Sequence, residues 1–413
     1  MLKKFFCVFL NIICATVFFA ITGFADETIT ARDYIVPDEI KGTIVSPGVD
    51  FAMEKNQDST EVMAQIDQII KNVKAYDLNT IYLNVNHREG VVYSSEYLPC
   101  YTSFDAMEYF LKKADENQIY IYAIINPTYF LGGELLFTEN YINSDVIANS
   151  QKNFKEFISK YTPNAVLIEG YYNSVQEKSF EAYKAYSSGM GFEQWMAESA
   201  TSLVKSLSDI VFNLKPAVQF GLVCDSVWAN NSTLAQGSGT NAEFEMYADG
   251  FIDLPTILAV SDIKTVLVKL PGSLSDNSIP FKSTLAWWKG ASSGADVAAV
   301  IYNSKLSGKE KGWNSPDQVL RQLITMREVG SKGVAFDCYQ DLVKNKDNHT
   351  DLITRFYKGQ VKSQDILTDL AISRPDKTAY STDEPFVSFY GASDPNFPLL
   401  LNDEEVERND KGV

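Results

Sequence analysis

Short apolar runs alternate with longer amphipathic stretches eight times between residues 42 and 337, and most of the runs end at a polar or acidic residue. A strand buried on both faces reads as a short continuous apolar run, and a crossover helix as an apolar stripe at helical spacing. The runs fall at 42–45, 80–86, 119–126, 165–168, 219–224, 265–270, 298–302 and 333–336. Between and after them the spacing predicts helices at 59–76, 104–117, 146–161, 192–214, within 243–259, and at 281–289, 316–329 and 352–357. In the first of these the apolar residues stand at 62, 63, 66, 69, 70 and 73. Ser315 ahead of Pro316 has the make-up of an N-cap followed by the first helical position. Such alternation implies an α/β protein with parallel strands and helical crossovers. An open doubly wound sheet shares the pattern, but eight regular units without a phosphate-binding loop favour a closed (β/α)8 TIM barrel over residues 42–360.

The flanks read differently. Residues 1–25 have the plan of a secretory signal peptide: Lys3 and Lys4, an apolar stretch at 5–21, and a small-x-small site at 23–25. The apolar stretch is about as long as a short membrane span, so a retained anchor is the alternative. Residues 26–41 read as an exposed leader. After residue 361 short strands at 366–372, 386–390 and 399–401 lie among Pro- and Asp-rich turns, which resembles the start of an Ig-like β-sandwich. Too few strands follow to close one, so the expectation is a truncated module whose natural product continues.

Composition narrows the chemistry. The formal charge of −17 drops to about −19 without Lys3 and Lys4, which argues against nucleic acid and anionic membranes as partners. With Cys7 and Cys14 in the signal, Cys100, Cys224 and Cys338 are too few and too widely spaced for a disulfide framework. Only His87 and His349 are available for imidazole chemistry, and neither stands in a zinc or nucleophile-elbow motif. No cofactor and no metal is implied. Carboxylates remain as the reactive groups. The 22 Tyr and 5 Trp serve either ordinary packing or stacking on sugar rings.

In a barrel of this kind the chemistry sits where strands end. Asp50, Glu89, Glu169, Asp225 and Asp337 lie at or just past the ends of apolar runs. Glycoside hydrolysis requires two carboxyl groups flanking one bond, one protonated and one ionised. Glu169, beside Gly170, Tyr171 and Tyr172, is the first candidate, its proton held by partial burial. Asp225 and Asp337 are candidates for the second carboxylate. Arg88 and Asn126 would make polar contacts to substrate, and Tyr171, Tyr172 and Trp228 would stack on it. His87 reads as a hydrogen-bonded loop residue, and one of Trp287 and Trp288 as core.

Several segments taken in order resemble the glycosyl-hydrolase-like family 10, secreted bacterial barrels linked to cell-wall glycan cleavage. They are NVNHR at 84–88 with YSSE at 93–96, YAIINP at 122–127, KPAVQFG at 215–221 leading to WAN at 228–230, YAD at 247–249, LAWW at 285–288, and the Gln322-containing helix before Gly333. The likeness runs over about residues 42–345 and implies a secreted or cell-surface glycosidase. Two strand exits depart from it. Where the family carries paired aspartates after strand four, this chain has Glu169 and then Gly170. After strand six the family has proline, glutamine and tyrosine; here Lys269 precedes Leu270, Pro271 and Gly272.

Two expectations follow. One is a hydrolase acting on a bacterial cell-wall glycan, peptidoglycan included, or on another polysaccharide, with Glu169 as acid and Asp225 or Asp337 as base or nucleophile. The other is a glycan-binding barrel that has lost a catalytic carboxylate, with Lys269 neutralising the acid that remains. A second carboxylate within about 10 Å of Glu169 favours the first.

Overall fold

The computed structural model describes residues 36–413 apart from 128–129, 132–133, 136–143, 173–182, 186, 307–311, 314–316, 362–370, 375–380, 382, 384–389, 393–399, 402–403 and 406–413. The chain divides into residues 1–35 and 36–413, and every described residue belongs to the second unit. The signal, most of the leader and the Ser315–Pro316 helix start therefore lie outside the described residues.

Eight parallel strands close into a barrel: β1 (Ile40–Val45), β2 (Thr80–Asn84), β3 (Tyr120–Ile125), β4 (Ala165–Ile168), β5 (Gln219–Cys224), β6 (Thr265–Leu270), β7 (Asp296–Ile301) and β8 (Gly333–Phe336). Each strand pairs with its sequence neighbours, and β8 returns to β1 in the register Ile40↔Gly333 to Thr43↔Phe336. This is the (β/α)8 architecture that the alternation implies. Closure depends on Gly333. Its φ is +151°, and a Cβ there would stand 2.0 Å from the Ile40 carbonyl oxygen, so no larger residue lets β1 and β8 approach this closely.

The helices that matter for the site are α1 (Ser59–Ala75), α2 (Ala106–Asn117), α3 (Ser144–Lys160), α4 (Phe192–Leu214), α5 (Leu254–Val260), α6 (Phe281–Ala291), α7 (Asp317–Val329), α8 (Tyr339–Lys344) and α9 (His349–Tyr357). Their apolar stripes face the barrel: Val62, Ile66, Ile69, Ile70 and Val73 of α1 are buried at the spacing read from sequence. Asp58 caps α1 by accepting from the Thr60 and Glu61 amides. Of the stretch 243–259 only its end is helical. Asp253 caps α5 there, with Pro255 in the first turn. Upstream, the Met246 and Tyr247 amides donate to Val227 and Trp228 rather than to their own chain four residues back, which ties the segment to the loop after β5.

Beyond residue 361 the described residues form two antiparallel pairs, Ala371–Arg374 with Tyr390–Ala392 and Leu400–Leu401 with Glu404–Glu405. Most of the three strands expected there lies outside the described residues. Cys100, Cys224 and Cys338 are all free.

Candidate functional site: a polar ring over an apolar barrel

Side chains of a strand alternate between the two faces of the sheet, so every second residue points into the barrel. One apolar cluster contains Ile40, Tyr82, Tyr122, Ile124, Ala165, Leu167, Val223, Leu267, Ala298, Val300 and Ala335, with Ile44 packed against it. These are the inward positions. Two residues further along each strand, the next inward positions are Ser46, Asn84, Asn126, Glu169, Asp225, Lys269, Tyr302 and Asp337. All eight are polar, and all eight are half-buried, whereas the cluster beneath them is closed to solvent. The period that fills the barrel with hydrocarbon thus ends in a ring of polar groups at its C-terminal mouth.

Within the ring, three groups are joined by charge. The Lys269 ammonium donates to Glu169 Oε1 and lies 3.8 Å from Asp225 Oδ1. An ion pair spans no more than about 4 Å, so the two carboxylate oxygens facing Lys269 are within roughly 8 Å of each other. Tyr172 donates its hydroxyl to the other Asp225 oxygen. Burial works against the lysine's charge, but Glu169 first and Asp225 next outweigh it and hold the ammonium above its ordinary pKa. Behind these groups, Ser226 Oγ donates to the Lys269 carbonyl at 2.7 Å and Trp288 Nε1 to the Ser226 carbonyl at 2.8 Å, which fixes the β5 and β6 exits together. Gly170 lets the chain turn away after Glu169: its φ is +69°, and a Cβ would meet the Asn126 amide nitrogen at 2.5 Å.

Asp337 is held differently. Ser304 supplies both of its donors, the amide to Oδ1 at 3.0 Å and the hydroxyl to Oδ2. Asn303 and the Cys338 backbone exchange two hydrogen bonds, which fasten the β7 exit to the β8 exit. Burial pushes the Asp337 carboxyl above the usual carboxylate range, and the Ser304 donors only partly offset it. Tyr302 stands between the two halves of the ring. Burial raises its phenol pKa, Lys269 opposes this, and Asp337, Asp225 and Glu169 add to it.

Other candidates from the sequence fall elsewhere. Tyr171 is fully buried with its hydroxyl 3.2 Å from Cys224 Sγ, so it is core and offers no face to a sugar. Burial pushes the Cys224 thiol up to about 12. Trp228 is only 3% exposed; it stacks on Trp287 at 5.8 Å and donates Nε1 to the Ile252 carbonyl at 2.8 Å. It too is packing rather than a platform. Of the helical pair, Trp288 is core and Trp287 is half-buried. Asp50 folds back on its own loop, accepting from the Ser46 amide at 2.8 Å, and is buried. Arg88 and Glu89 are exposed on the hairpin that follows β2. His87 lies in the same hairpin with its ring 3.8 Å from that of Tyr101; Nδ1 accepts from the Glu89 amide at 3.2 Å, and burial lowers its pKa. Tyr302, Ser304, Ser46 and Asn84 are not among the candidates drawn from sequence. Counting two residues beyond each inward apolar position finds all of them except Ser304.

A cavity of about 710 Å³ opens away from the ring, between α4 and residues 247–256. It carries Glu193, Glu198 and Asp253, but Asp253 is taken up in capping α5 and Glu198 accepts from Gln194 at 2.8 Å. The ring, rather than this cavity, gathers charged groups that face one another. Among the described residues no group of three His, Cys, Asp or Glu side chains is placed to hold a metal ion.

No protein-family model matches the sequence. A curated relative, the glycosyl hydrolase YngK of Bacillus subtilis (strain 168), is 24% identical over 208 residues, 47% of this chain and 40% of that protein. The chain thus matches less than half the length of this relative. Among solved structures, the glycoside hydrolase domain of PgaB (BpsB) from Bordetella bronchiseptica has a TM-score of 0.51 at 11% identity, covering 77% of this chain and 98% of that one. Alpha-L-fucosidase isoenzyme 2 from Paenibacillus thiaminolyticus gives 0.50 at 10% identity, over 78% and 49%. The chain has a glycoside-hydrolase-like (β/α)8 fold and weak sequence similarity to a glycosyl hydrolase.

Proposed function

We propose that the protein is a secreted glycoside hydrolase of the glycosyl-hydrolase-like family 10 type, cleaving a bacterial cell-wall glycan or a related polysaccharide. The observation that carries this reading is the asymmetry of the ring. Glu169 and Asp225 share the Lys269 ammonium, while Asp337 is held by neutral donors and pushed up by burial. An acid and a base in one site require carboxyl groups in different surroundings, and the ring provides neutral donors at Asp337 and an ammonium at Glu169 and Asp225. Asp337 is therefore the better proton donor to the glycosidic oxygen. Glu169 or Asp225 then serves as the ionised partner, either activating water or attacking the anomeric carbon. This reverses the roles read from sequence, because Glu169 accepts a hydrogen bond from the Lys269 ammonium, whereas Asp337 is held by neutral donors and raised by burial. Export rests on Lys3, Lys4 and the apolar stretch at 5–21.

The specific observation favouring a glycan-binding barrel is that Lys269 occupies Glu169. Reducing-end release from cell-wall glycan and a polysaccharide panel separates the readings, with Glu169→Gln and Asp337→Asn as controls. Release lost in both variants supports hydrolysis. No release from any substrate, with glycan retained in a pull-down, leaves a binding barrel.

A further inference from the structure

We propose that Tyr302 is a substrate-contacting residue of this site, its phenol hydrogen-bonding a neutral hydroxyl or amide oxygen of the sugar unit held in the mouth; this rests on the reading of the mouth as a glycan site. Tyr302 follows Ile301 at the end of β7 and occupies the inward position two residues past Val300. The β6–β7 register sets Lys269 opposite Val300, and the β7–β8 register sets Ile301 opposite Phe336. Tyr302 is thus flanked by Lys269 on one side and Asp337 on the other. Its ring packs against both the barrel interior and the outer core, which anchors it.

The Tyr302 hydroxyl is uncommitted. Among the described residues it makes no hydrogen bond, although Tyr172 in the same mouth is committed to Asp225 and Tyr171 to Cys224. The charged groups facing it are Lys269, Asp337, Asp225 and Glu169. Lys269 is taken up by Glu169 and Asp225, and Asp337 by Ser304. A phenol both donates and accepts, so it suits a neutral sugar oxygen better than an ion. Tyr302 thus stands at the ring position between Asp337 and Lys269, the two sides of the proposed site.

The test is Tyr302→Phe in the full chain, which keeps the packed ring and removes only the oxygen. Hydrolysis is read as kcat/KM against pH. Affinity is read by calorimetry in an Asp337→Asn background, with chitooligosaccharides and peptidoglycan glycan fragments as probes. The expected result is a roughly tenfold loss of both kcat/KM and affinity, with an unchanged melting temperature. Unchanged affinity overturns the proposal. So does a shift of the pH profile with affinity intact, which would make Tyr302 a modulator of Asp337. If the parent binds but never hydrolyses and Tyr302→Phe still weakens binding, the hydrolase reading fails while the role of Tyr302 stands. If the parent neither binds nor hydrolyses any probe, both fall.

Discussion

Lys269 on β6 reaches past β5 to hydrogen-bond Glu169 on β4, and Asp225 on the strand between lies 3.8 Å from the same ammonium. The three side chains are each about a third exposed, so the pairing contributes little to fold stability. Its consequence is for the state of the carboxylates. The ammonium engages one oxygen of each acid, which leaves proton donation to an acid outside the pair. Asp337 is that acid, two strands beyond Lys269.

Replacing the cation tests this directly. Lys269→Met keeps the length of the side chain and removes its charge. Glu169 and Asp225 then face each other without a counter-ion. Their placement in the mouth is disturbed, and kcat/KM should fall by roughly tenfold, with the melting temperature little changed because the pair is partly exposed. An unchanged kcat/KM would separate the ion pair from the chemistry.

Asp337 gives the basic limb of the pH profile. A general acid works while protonated, so activity is present below its pKa and lost as pH rises through it. Burial raises that pKa, which carries activity further toward neutral pH. Asp337→Asn should cost about 10²–10⁴-fold on natural glycan, with much less loss on an aryl glycoside whose leaving group needs no proton. Ser304→Ala removes the hydroxyl donor that favours the ionised form. Its basic limb should move to higher pH, and a downward move would contradict the assignment.

Trp228 was read from sequence as a stacking platform, and its burial reverses the expected phenotype. The indole fills core space against Trp287 and satisfies the Ile252 carbonyl. Trp228→Ala should destabilise the fold by about 3–5 kcal/mol in urea unfolding. The fraction that remains folded should keep its affinity for glycan. Lost affinity at unchanged stability would return Trp228 to the site.

The barrel was legible because its strands are buried on both faces and its helices on one, which imposes two distinct periods on the chain. The acids at strand exits were legible for the same reason: Glu169, Asp225 and Asp337 interrupt apolar runs. What a linear reading misses is the partner across the ring. Lys269 was visible as a departure from a family pattern, but that it spans to Glu169 a hundred residues earlier depends on strand order and side-chain length. Tyr171 and Tyr172 look alike in sequence, yet one turns into the core and the other toward Asp225. Tyr302 was counted as the end of a strand, since an aromatic residue after an apolar run does not announce a polar role.

Asp50 is a buried acid that the proposed chemistry does not use. Burial lifts its carboxyl from 3.8 to about 6, and the Ser46 amide only partly offsets this. Among the described residues its Oδ1 has no hydrogen-bond partner; the neighbouring Gln340 amide, which also lowers the carboxyl pKa somewhat, donates to the Val49 carbonyl at 3.4 Å. The folded chain therefore binds the Asp50 proton more tightly than the unfolded chain does. Wild-type stability is favoured at low pH and lost as pH rises from about 4 through about 6. Asp50→Asn keeps an acceptor for Ser46 and removes the charge, at the cost of an unpartnered amide of about 1 kcal/mol. At pH 8 the variant should be more stable than wild type by about 1–2 kcal/mol, and the gap should close toward pH 4. Urea unfolding of both proteins at pH 8 and pH 4.5 checks the sign: a variant less stable at pH 8 would show that Asp50 is ionised and satisfied in the folded chain.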